Sequence, residues 1–462
     1  MAELKVNGKL DRRAFYKTLF ALVLPMAVQN LINVGVSSAD VVMLGRVDEV
    51  ALSAASLAGQ VQFVMMLIFF GLASGASVLT AQYWGKGDVR TIEKVLAITL
   101  RLSMAIALLF ALAAFFIPGA LMRIFTPEEA IIEQGIRYLR LIAPSYLCVG
   151  FTNIYLNVMR SVEKVMLATV VYSVSLLSNI VLNSIFIFGL LGAPAMGAAG
   201  AALATTIARV IEVCIVTVYA VRNQVLRMRI KDYIHWNRTL FSDFIRYSMP
   251  ATVNELLWGT AIATNAVIIG HMGSAAVAAN SVAGVTRQLA MVVAFGVANA
   301  AAILIGKALG AGQRAEADEM GGKMVRMGLW TGLGGSVLIL ILRPLILHLM
   351  KLGPEAADYL GFVLLLMAAY VPVQSLVTTM VVGVFRGGGD TGFGVFLDLA
   401  GMWLTSIPLA ALAAFVLGWP VKWVFVVIML DEFIKLPLTI WRYRKKIWLR
   451  NVTRDDLQDG AQ

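Results

Sequence analysis

Three acidic residues, Asp40, Glu255 and Asp398, lie inside long apolar runs with no charged residue three or four positions away. An acid at membrane depth costs on the order of several kcal/mol unless it is paired, protonated or in contact with water. Such a carboxylate can take up a proton on one side of a membrane and exchange it for another cation. The alternative is an acid that is hydrogen-bonded to Ser, Asn or Thr side chains purely for packing.

Three polar residues are predicted to lie in the same half of the membrane as Asp40. Counted at 1.5 Å per residue, its distance from the outer end of its helix is about 8 Å, against about 12 Å for Asn183, 15 Å for Thr205 and 18 Å for Asn179. Asn179 and Asn183 are one turn apart on one helix face. A carboxylate, two amide oxygens and a hydroxyl that converge there would form an oxygen-rich site for a proton or a hard cation such as sodium. No other cofactor is expected.

Glu255 is predicted to lie closer to the membrane midplane, where transport proteins usually hold substrate. Trp258 is one turn away, and an aromatic ring beside a carboxylate suits an organic cation. We therefore place Glu255, Trp258 and Asp398 in a predicted substrate cavity. The alternative for Trp258 is packing against other helices or lipid.

Other membrane-depth charges have partners on their own helix. Asp431 and Lys435 are four apart and Arg209 and Glu212 three apart, which are spacings that allow pairing. We predict structural roles for both pairs. For Glu432, which follows Asp431, the sequence leaves open whether it shares a helix face with Lys435.

The elements that must position these residues are membrane helices. Hydrophobic residues make up 60% of the 462-residue chain and charged residues 14%, and the mean hydropathy is +0.82, which excludes an ordinary soluble domain. Apolar runs long enough to cross a hydrocarbon core of about 30 Å recur twelve times. We place these runs at 15–45, 51–84, 92–117, 130–158, 164–191, 195–221, 245–271, 275–305, 321–348, 355–385, 391–417 and 421–445.

The net charge of +11 is unevenly distributed. With the N-terminus in the cytoplasm, most Lys and Arg fall in inner loops and in the two termini, which is the positive-inside bias. This accounts for the basic pI without a nucleic-acid partner. We expect a multi-pass protein of the cytoplasmic (inner or plasma) membrane with both termini inside. We also predict that it works as a monomer.

The chain is an internal duplication. Pro25 matches Pro250 at an offset of 225 residues, and Gly85 and Gly87 match Gly310 and Gly312 without a gap. Six helices per half imply two lobes related by a pseudo-two-fold axis along the membrane normal. We predict an all-α protein with an N-lobe at 1–222, a cytoplasmic linker at 223–244 that contains His235, and a C-lobe at 245–462.

Several motifs together resemble the multidrug and toxic compound extrusion (MATE) family. They are Pro25 with Asp40 fifteen residues later, GLASGASVLTAQYWGKGD at 71–88, NIVLN at 179–183 followed by GAAGAALAT at 197–205, and FRGGGD at 385–390. The resemblance covers nearly the whole chain. It implies two six-helix lobes, alternating access, and export of organic cations or drugs in exchange for protons or sodium.

The resemblance also implies residue roles. Asp40 looks like the family's first-helix acid, Asn179 its fifth-helix amide and Thr205 the hydroxyl of its cation site. Asn183 departs from the pattern, since sodium-binding members carry an aspartate there. Asp390, inside the FRGGGD turn, is expected to be a loop cap rather than an ion carrier.

Two other functional classes make different demands on the sequence. A flippase for lipid-linked saccharides would need basic residues in its cavity, for which Arg101, Arg140 and Arg287 are candidates, but the isolated intramembrane charges are mainly acidic. An enzyme would need a catalytic cluster, and neither HExxH nor GxSxG occurs in the chain. We therefore expect a transporter and no catalysis.

Overall fold

Long helices make up almost all of the computed structural model from which the fold is described. The described residues are 5–6, 9–10, 12–223, 225–229, 232–233, 237–350 and 352–455. The two short strands β1 (Lys5–Val6) and β2 (Lys9–Leu10) pair antiparallel near the N-terminus. His235 lies outside the described residues.

The first half of the chain contains six long helices and one short one. They are α1 (Arg12–Leu44), α2 (Glu49–Lys86), α3 (Val89–Phe116), the short α4 (Pro118–Phe125), α5 (Glu129–Ser161), α6 (Val165–Phe188) and α7 (Ala198–Arg222). Every predicted apolar run of this half coincides with one long helix. The ends agree to within a few residues, because Gly-rich and charged turns mark them.

The second half begins with four long helices and continues with shorter segments. They are α8 (Arg238–Gly270), α9 (Ser274–Gly310), α10 (Arg314–Leu349), α11 (Pro354–Thr378), α12 (Gly392–Asp398), α13 (Ile407–Ala411), α14 (Val421–Ile428) and α15 (Asp431–Arg444). The predicted linker 223–244 ends inside α8. Its bounds, like those of the two predicted lobes, stay a prediction.

Wide π-helical turns join several of these segments into longer helices. The turns Thr379–Phe385, Leu399–Ser406 and Leu412–Val416 extend the tenth and eleventh membrane segments. In the second of them, the Thr405 hydroxyl donates to the Ala400 carbonyl at 2.6 Å. Such turns relax the regular backbone ladder and recur at functional sites in helical proteins.

Within the described residues, ten helices are long and apolar enough to span a membrane. The two predicted spans outside this set are the seventh and the twelfth. The seventh, in α8, carries Asn254, Glu255 and Asn265, and the twelfth is interrupted between Ile428 and Asp431. The predicted fold class, an all-α polytopic membrane protein, is confirmed.

The described residues form two compact units. Unit A comprises Met1–Ala27, Ser77–Gly87 and Arg246–Gln462, and unit B comprises Val28–Ala76 and Asp88–Ile245. The core of unit A includes Ala261, Met291 and Phe425, and that of unit B includes Phe69, Ala107 and Tyr146. Small residues are frequent in both cores, which allows helices to pack closely.

A close helix crossing inside unit A involves two glycines that the sequence duplication relates. A Cβ at Gly85 would lie 2.0 Å from the Lys307 carbonyl oxygen, and a Cβ at Gly310 would lie 1.8 Å from the Gln82 carbonyl oxygen. Gln82 and Lys307 are also 225 residues apart. The contact is therefore reciprocal between equivalent positions, and each glycine is required by the backbone of the other helix.

This crossing predicts a selective effect of added methyl groups. Gly85→Ala and Gly310→Ala should each lower the melting temperature of the purified protein, because overpacking costs about 1–3 kcal/mol. The matched controls are Gly59→Ala and Gly284→Ala, another pair at the same offset, where no atom lies within 4 Å of the added Cβ. Equal melting temperatures for the two pairs of variants would contradict the requirement for close backbone contact.

Candidate functional site

Four polar residues of unit B form one hydrogen-bonded chain. The Asn183 side-chain amide donates to Asp40 Oδ1 at 2.5 Å and to Asn179 Oδ1 at 3.0 Å. The Asn179 amide in turn donates to the Thr205 hydroxyl at 3.2 Å. The structure thus brings together the four residues that helix depth predicted. We call them the Asp40 cluster.

Three helices hold the Asp40 cluster. Asp40 comes from α1, Thr205 from α7, and the two asparagines from successive turns of α6. Asn179, Asn183 and Thr205 are buried, and Asp40 is half-buried. Both asparagines face the same direction because a spacing of four residues returns to the same face of a helix.

The carboxylate of Asp40 is held by an amide rather than by a cation. Among the described residues no Lys, Arg or His forms an ion pair with it, and Arg209 of α7 pairs with Glu212 at 2.5 Å. Asn183 Oδ1 is buried with no hydrogen-bond partner in the described part of the chain. Negative charge and an unused acceptor oxygen therefore lie at the same place.

This donor set fits a proton or one small monovalent cation. It contains a carboxylate, amide oxygens and a hydroxyl, which are hard oxygen ligands. Across the residues that the structure describes, no group of three His, Cys, Asp or Glu side chains is close enough to hold a metal ion. A single carboxylate matches a singly charged ion better than a divalent one, since each metal charge in an apolar site needs compensation.

In unit A, the prediction that Glu255 and Asp398 are unpaired is wrong. Arg386 donates to Glu255 Oε1 at 2.9 Å, and Lys435 Nζ lies 2.9 Å from Asp398 Oδ1. Asn254 links the two pairs, because it accepts from Arg386 at 2.8 Å and donates to Asp398 at 2.5 Å. Helix spacing could not show these pairs, since each joins residues from different helices.

Lys435 is the centre of a larger acidic group. Besides Asp398, it lies 3.4 Å from both Asp431 Oδ2 and Glu432 Oε1. The predicted Asp431–Lys435 pair is therefore confirmed, and Glu432, whose face the sequence left open, also lies within reach of the lysine. All four of these side chains are buried.

The packing around Lys435 depends on a glycine. A Cβ at Gly401 would lie 2.8 Å from Lys435 Cγ and 2.9 Å from its Cε, so a larger residue would displace the lysine. The Tyr370 hydroxyl donates to Asp431 Oδ1 at 3.1 Å. Glu432 Oε2 is buried with no hydrogen-bond partner among the described residues. Three carboxylates thus share one ammonium group.

The remaining candidates have structural surroundings. Trp258 is half-buried against the core of unit A. Asp390 accepts from Arg442 Nε at 2.8 Å and from its Nη2 at 3.0 Å, so an ion pair joins its turn to α15. The sequence alone did not identify Arg386 as the partner of Glu255. A signal was present, because four acids of the second half (Glu255, Asp398, Asp431 and Glu432) have only one same-helix basic partner, Lys435.

The sequence model of one transporter family, MatE, matches the chain twice, at residues 25–185 and 250–412. The two matches start 225 residues apart, which agrees with the internal duplication. Each match covers helices of one half of the chain.

Two relatives illustrate the similarity in sequence. The uncharacterized transporter YisQ of Bacillus subtilis is 22% identical over 94% of this chain and 95% of its own length. The probable multidrug resistance protein NorM of Bradyrhizobium diazoefficiens is 27% identical over 93% of each chain.

Two solved structures illustrate the similarity in fold. An outward-facing multidrug resistance MATE family transporter of the MOP superfamily superposes with a TM-score of 0.85 at 19% identity, over 93% of this chain and 95% of that one. A MOP superfamily transporter from Pyrococcus furiosus, described as having a binding pocket of reverse polarity, gives 0.84 at 19% identity over the same shares of the two chains.

The charge network of unit A predicts a large effect of removing its central cation. Lys435→Met should lower the free energy of unfolding by about 3–5 kcal/mol, because breaking a buried pair leaves uncompensated charge. The measurement is thermal unfolding of the purified protein in detergent. The control is Lys422→Met, since Lys422 forms an exposed pair with Asp358 at 2.7 Å and such pairs contribute little. A Lys435 variant as stable as this control would show that the three carboxylates are neutralised in another way.

Proposed function

Because the chain belongs to the MatE family of membrane transporters, we propose that it is an antiporter that exports organic cations or drugs in exchange for protons or sodium. Its relatives include proteins named as multidrug resistance proteins NorM and MdtK. The proposed site of the coupling ion is the Asp40 cluster. The observation that carries the proposal is the bond of Asp40 to a neutral amide in a protein where the other membrane acids have basic partners.

Asp40 can change charge at low structural cost. An acid in a permanent ion pair holds its compensating charge in place, whereas an acid bonded to an amide can gain or lose a proton or cation without leaving a basic residue unpaired. A protonated Asp40 would donate a hydrogen bond to Asn183 Oδ1, which has no partner among the described residues. The Asn183 side chain then serves both charge states of Asp40.

Exchange of the coupling ion at this site supplies the energy for export. Binding of a proton or sodium to Asp40 removes a negative charge from an apolar region, and release on the other side restores it. A conformational change is favoured by such an ion only if the two states bind it with different affinity. We assign that difference to contact of Asp40 with α6 through Asn183.

The substrate is proposed to be recognised in unit A by charge and aromatic contact. Glu255, Asp398, Asp431 and Glu432 are four carboxylates that share two basic partners, Arg386 and Lys435. This excess of acids favours an organic cation, and Trp258 supplies an aromatic face one turn from Glu255. Because Glu255 is paired with Arg386, an organic cation would compete with Arg386 for the Glu255 carboxylate.

The second candidate, a flippase for lipid-linked saccharides, is not favoured. A pyrophosphate carrier needs an excess of basic residues, and the buried charged residues described for unit A show none, with four acids (Asp390, Asp398, Asp431 and Glu432) against three bases (Lys323, Arg386 and Lys435). Catalysis is not proposed, since the family consists of transporters. We further propose a monomer in the plasma membrane, with both termini in the cytoplasm and with no nucleic-acid partner.

Asp40→Asn should abolish gradient-driven export of a cationic dye from proteoliposomes, because an amide cannot exchange a proton or cation. The measurement is dye movement under an imposed proton gradient or sodium gradient, each tested alone. Asp358→Asn, which removes an exposed acid with a basic partner, is the control and should transport normally. Unchanged transport by a folded Asp40→Asn protein would reject the proposed role of Asp40.

Asn183→Asp should shift coupling toward sodium, because two neighbouring carboxylates compensate a bound cation better than one. Sodium-driven export should rise relative to proton-driven export by about tenfold, the ratio expected from about 1.4 kcal/mol of added ion affinity. The control is Asn157→Asp, which adds the same charge to α5 at a side chain that bonds Asn153. A ratio that stays constant, or changes equally in both variants, would contradict ion contact at position 183.

A further inference from the structure

An open cavity of about 1060 Å³ lies within unit B, away from the Asp40 cluster. Residues of α3, α5, α7 and the segment after α7 line it. Its long wall runs along α7 from Val213 to Arg222, which is about 14 Å at 1.5 Å per residue. Val221 on this wall is 81% exposed, so the cavity opens to the outside of the unit.

The two ends of the cavity differ in chemistry. The wall toward the middle of the membrane is apolar and includes Leu100, Leu147 and Val213. At the other end, where α7 stops, the lining includes Arg222 and Arg227. The shape is therefore that of a slot with an apolar interior and a basic mouth.

Arginines of the mouth are not neutralised by neighbouring acids. Among the described residues no carboxylate pairs with Arg222 or Arg227, and both are exposed. The carboxylate of Glu93 pairs with the side chains of Arg90 at 3.0 Å and Arg229 at 3.4 Å, and it accepts from the backbone N–H of Arg227 at 2.8 Å, which leaves the Arg227 guanidinium without an acidic partner among the described residues. The mouth thus keeps an excess of positive charge.

Two further side chains point to a ligand at this end. Arg101, from the middle of α3, lines the same cavity and is close enough to Tyr233 to act on its charge. The Tyr233 hydroxyl is buried without a hydrogen-bond partner in the described part of the chain. Burial raises the pKa of Tyr233, so its hydroxyl remains a donor at neutral pH. A buried donor without an acceptor is costly, and a bound anion would satisfy it.

We propose that this cavity binds an anionic phospholipid, with the headgroup phosphate at Arg222, Arg227 and Tyr233 and an acyl chain along the apolar wall. Arginine binds phosphate oxygens through two parallel hydrogen bonds, and basic pockets between membrane helices hold acidic headgroups. The lipid connects α3, α5 and α7, which stabilises the unit that contains the Asp40 cluster.

The test is lipid binding by the full-length protein, purified in detergent and measured by native mass spectrometry. The lipids are phosphatidylglycerol and phosphatidylcholine with identical acyl chains. We expect phosphatidylglycerol to bind at least tenfold more tightly. The double variant Arg222→Gln/Arg227→Gln should lose about tenfold in affinity for phosphatidylglycerol and should no longer distinguish the two lipids.

The matched control removes the same charge outside the cavity. Lys164→Gln/Arg238→Gln changes two exposed basic residues of unit B and should keep the preference for phosphatidylglycerol. Equal loss in both double variants, or none in the cavity variant, would overturn the proposal.

Two further measurements separate a lipid from a free phosphate and test the apolar wall. Thr217→Trp fills the wall without changing charge and should weaken phosphatidylglycerol binding about tenfold, because the acyl chain loses its contacts. Soluble glycerophosphate should not displace the lipid at equal concentration. Undiminished binding by the Trp variant, or displacement by glycerophosphate, would show a surface phosphate site instead and overturn the lipid assignment.

Discussion

Charge in an apolar interior must be compensated, and the two units of this protein meet that constraint in different ways. Unit A holds its acids with Arg386 and Lys435, so that buried carboxylates and cations form one connected network. Unit B holds Asp40 with Asn183, a neutral group. A carboxylate that is paired with a fixed Arg or Lys already has its compensating positive charge. A carboxylate that is bonded to a neutral amide, such as Asp40, is better suited to bind and release a proton or a small cation.

Three helices, α1, α6 and α7, contribute the side chains of the Asp40 cluster. Successive turns of α6 present Asn179 and Asn183 to one side. The Asn183 amide donates to both Asp40 and Asn179, and the Asn179 amide accepts from Asn183 and donates to Thr205. A protonated or cation-bound Asp40 would change the first hydrogen bond of that chain. A change in that bond would reach Thr205, and so α7, through Asn179. Ion binding at Asp40 would then alter the contact between α6 and α7.

The two copies of the duplicated sequence share residues that pack their helices but differ in their polar residues. Both copies have a glycine at this position, Gly85 and Gly310, because the backbone of the other helix leaves no room for a Cβ atom at either one. The polar residues were not preserved: the position of Asn30 is occupied by Glu255 in the second copy, and that of Asp40 by Asn265. Equivalent positions in the two copies thus carry different polar groups.

The amino-acid sequence by itself determined the order and approximate bounds of most of the long helices, since apolar runs between charged turns form helices in a bilayer. It also placed the Asp40 cluster correctly, because depth follows from counting residues along a helix. Only the tertiary structure decided the partners of Glu255 and Asp398. Helix spacing reports neighbours three or four residues apart, whereas Arg386 and Lys435 reach these acids from other helices, and which faces meet depends on how the helices pack.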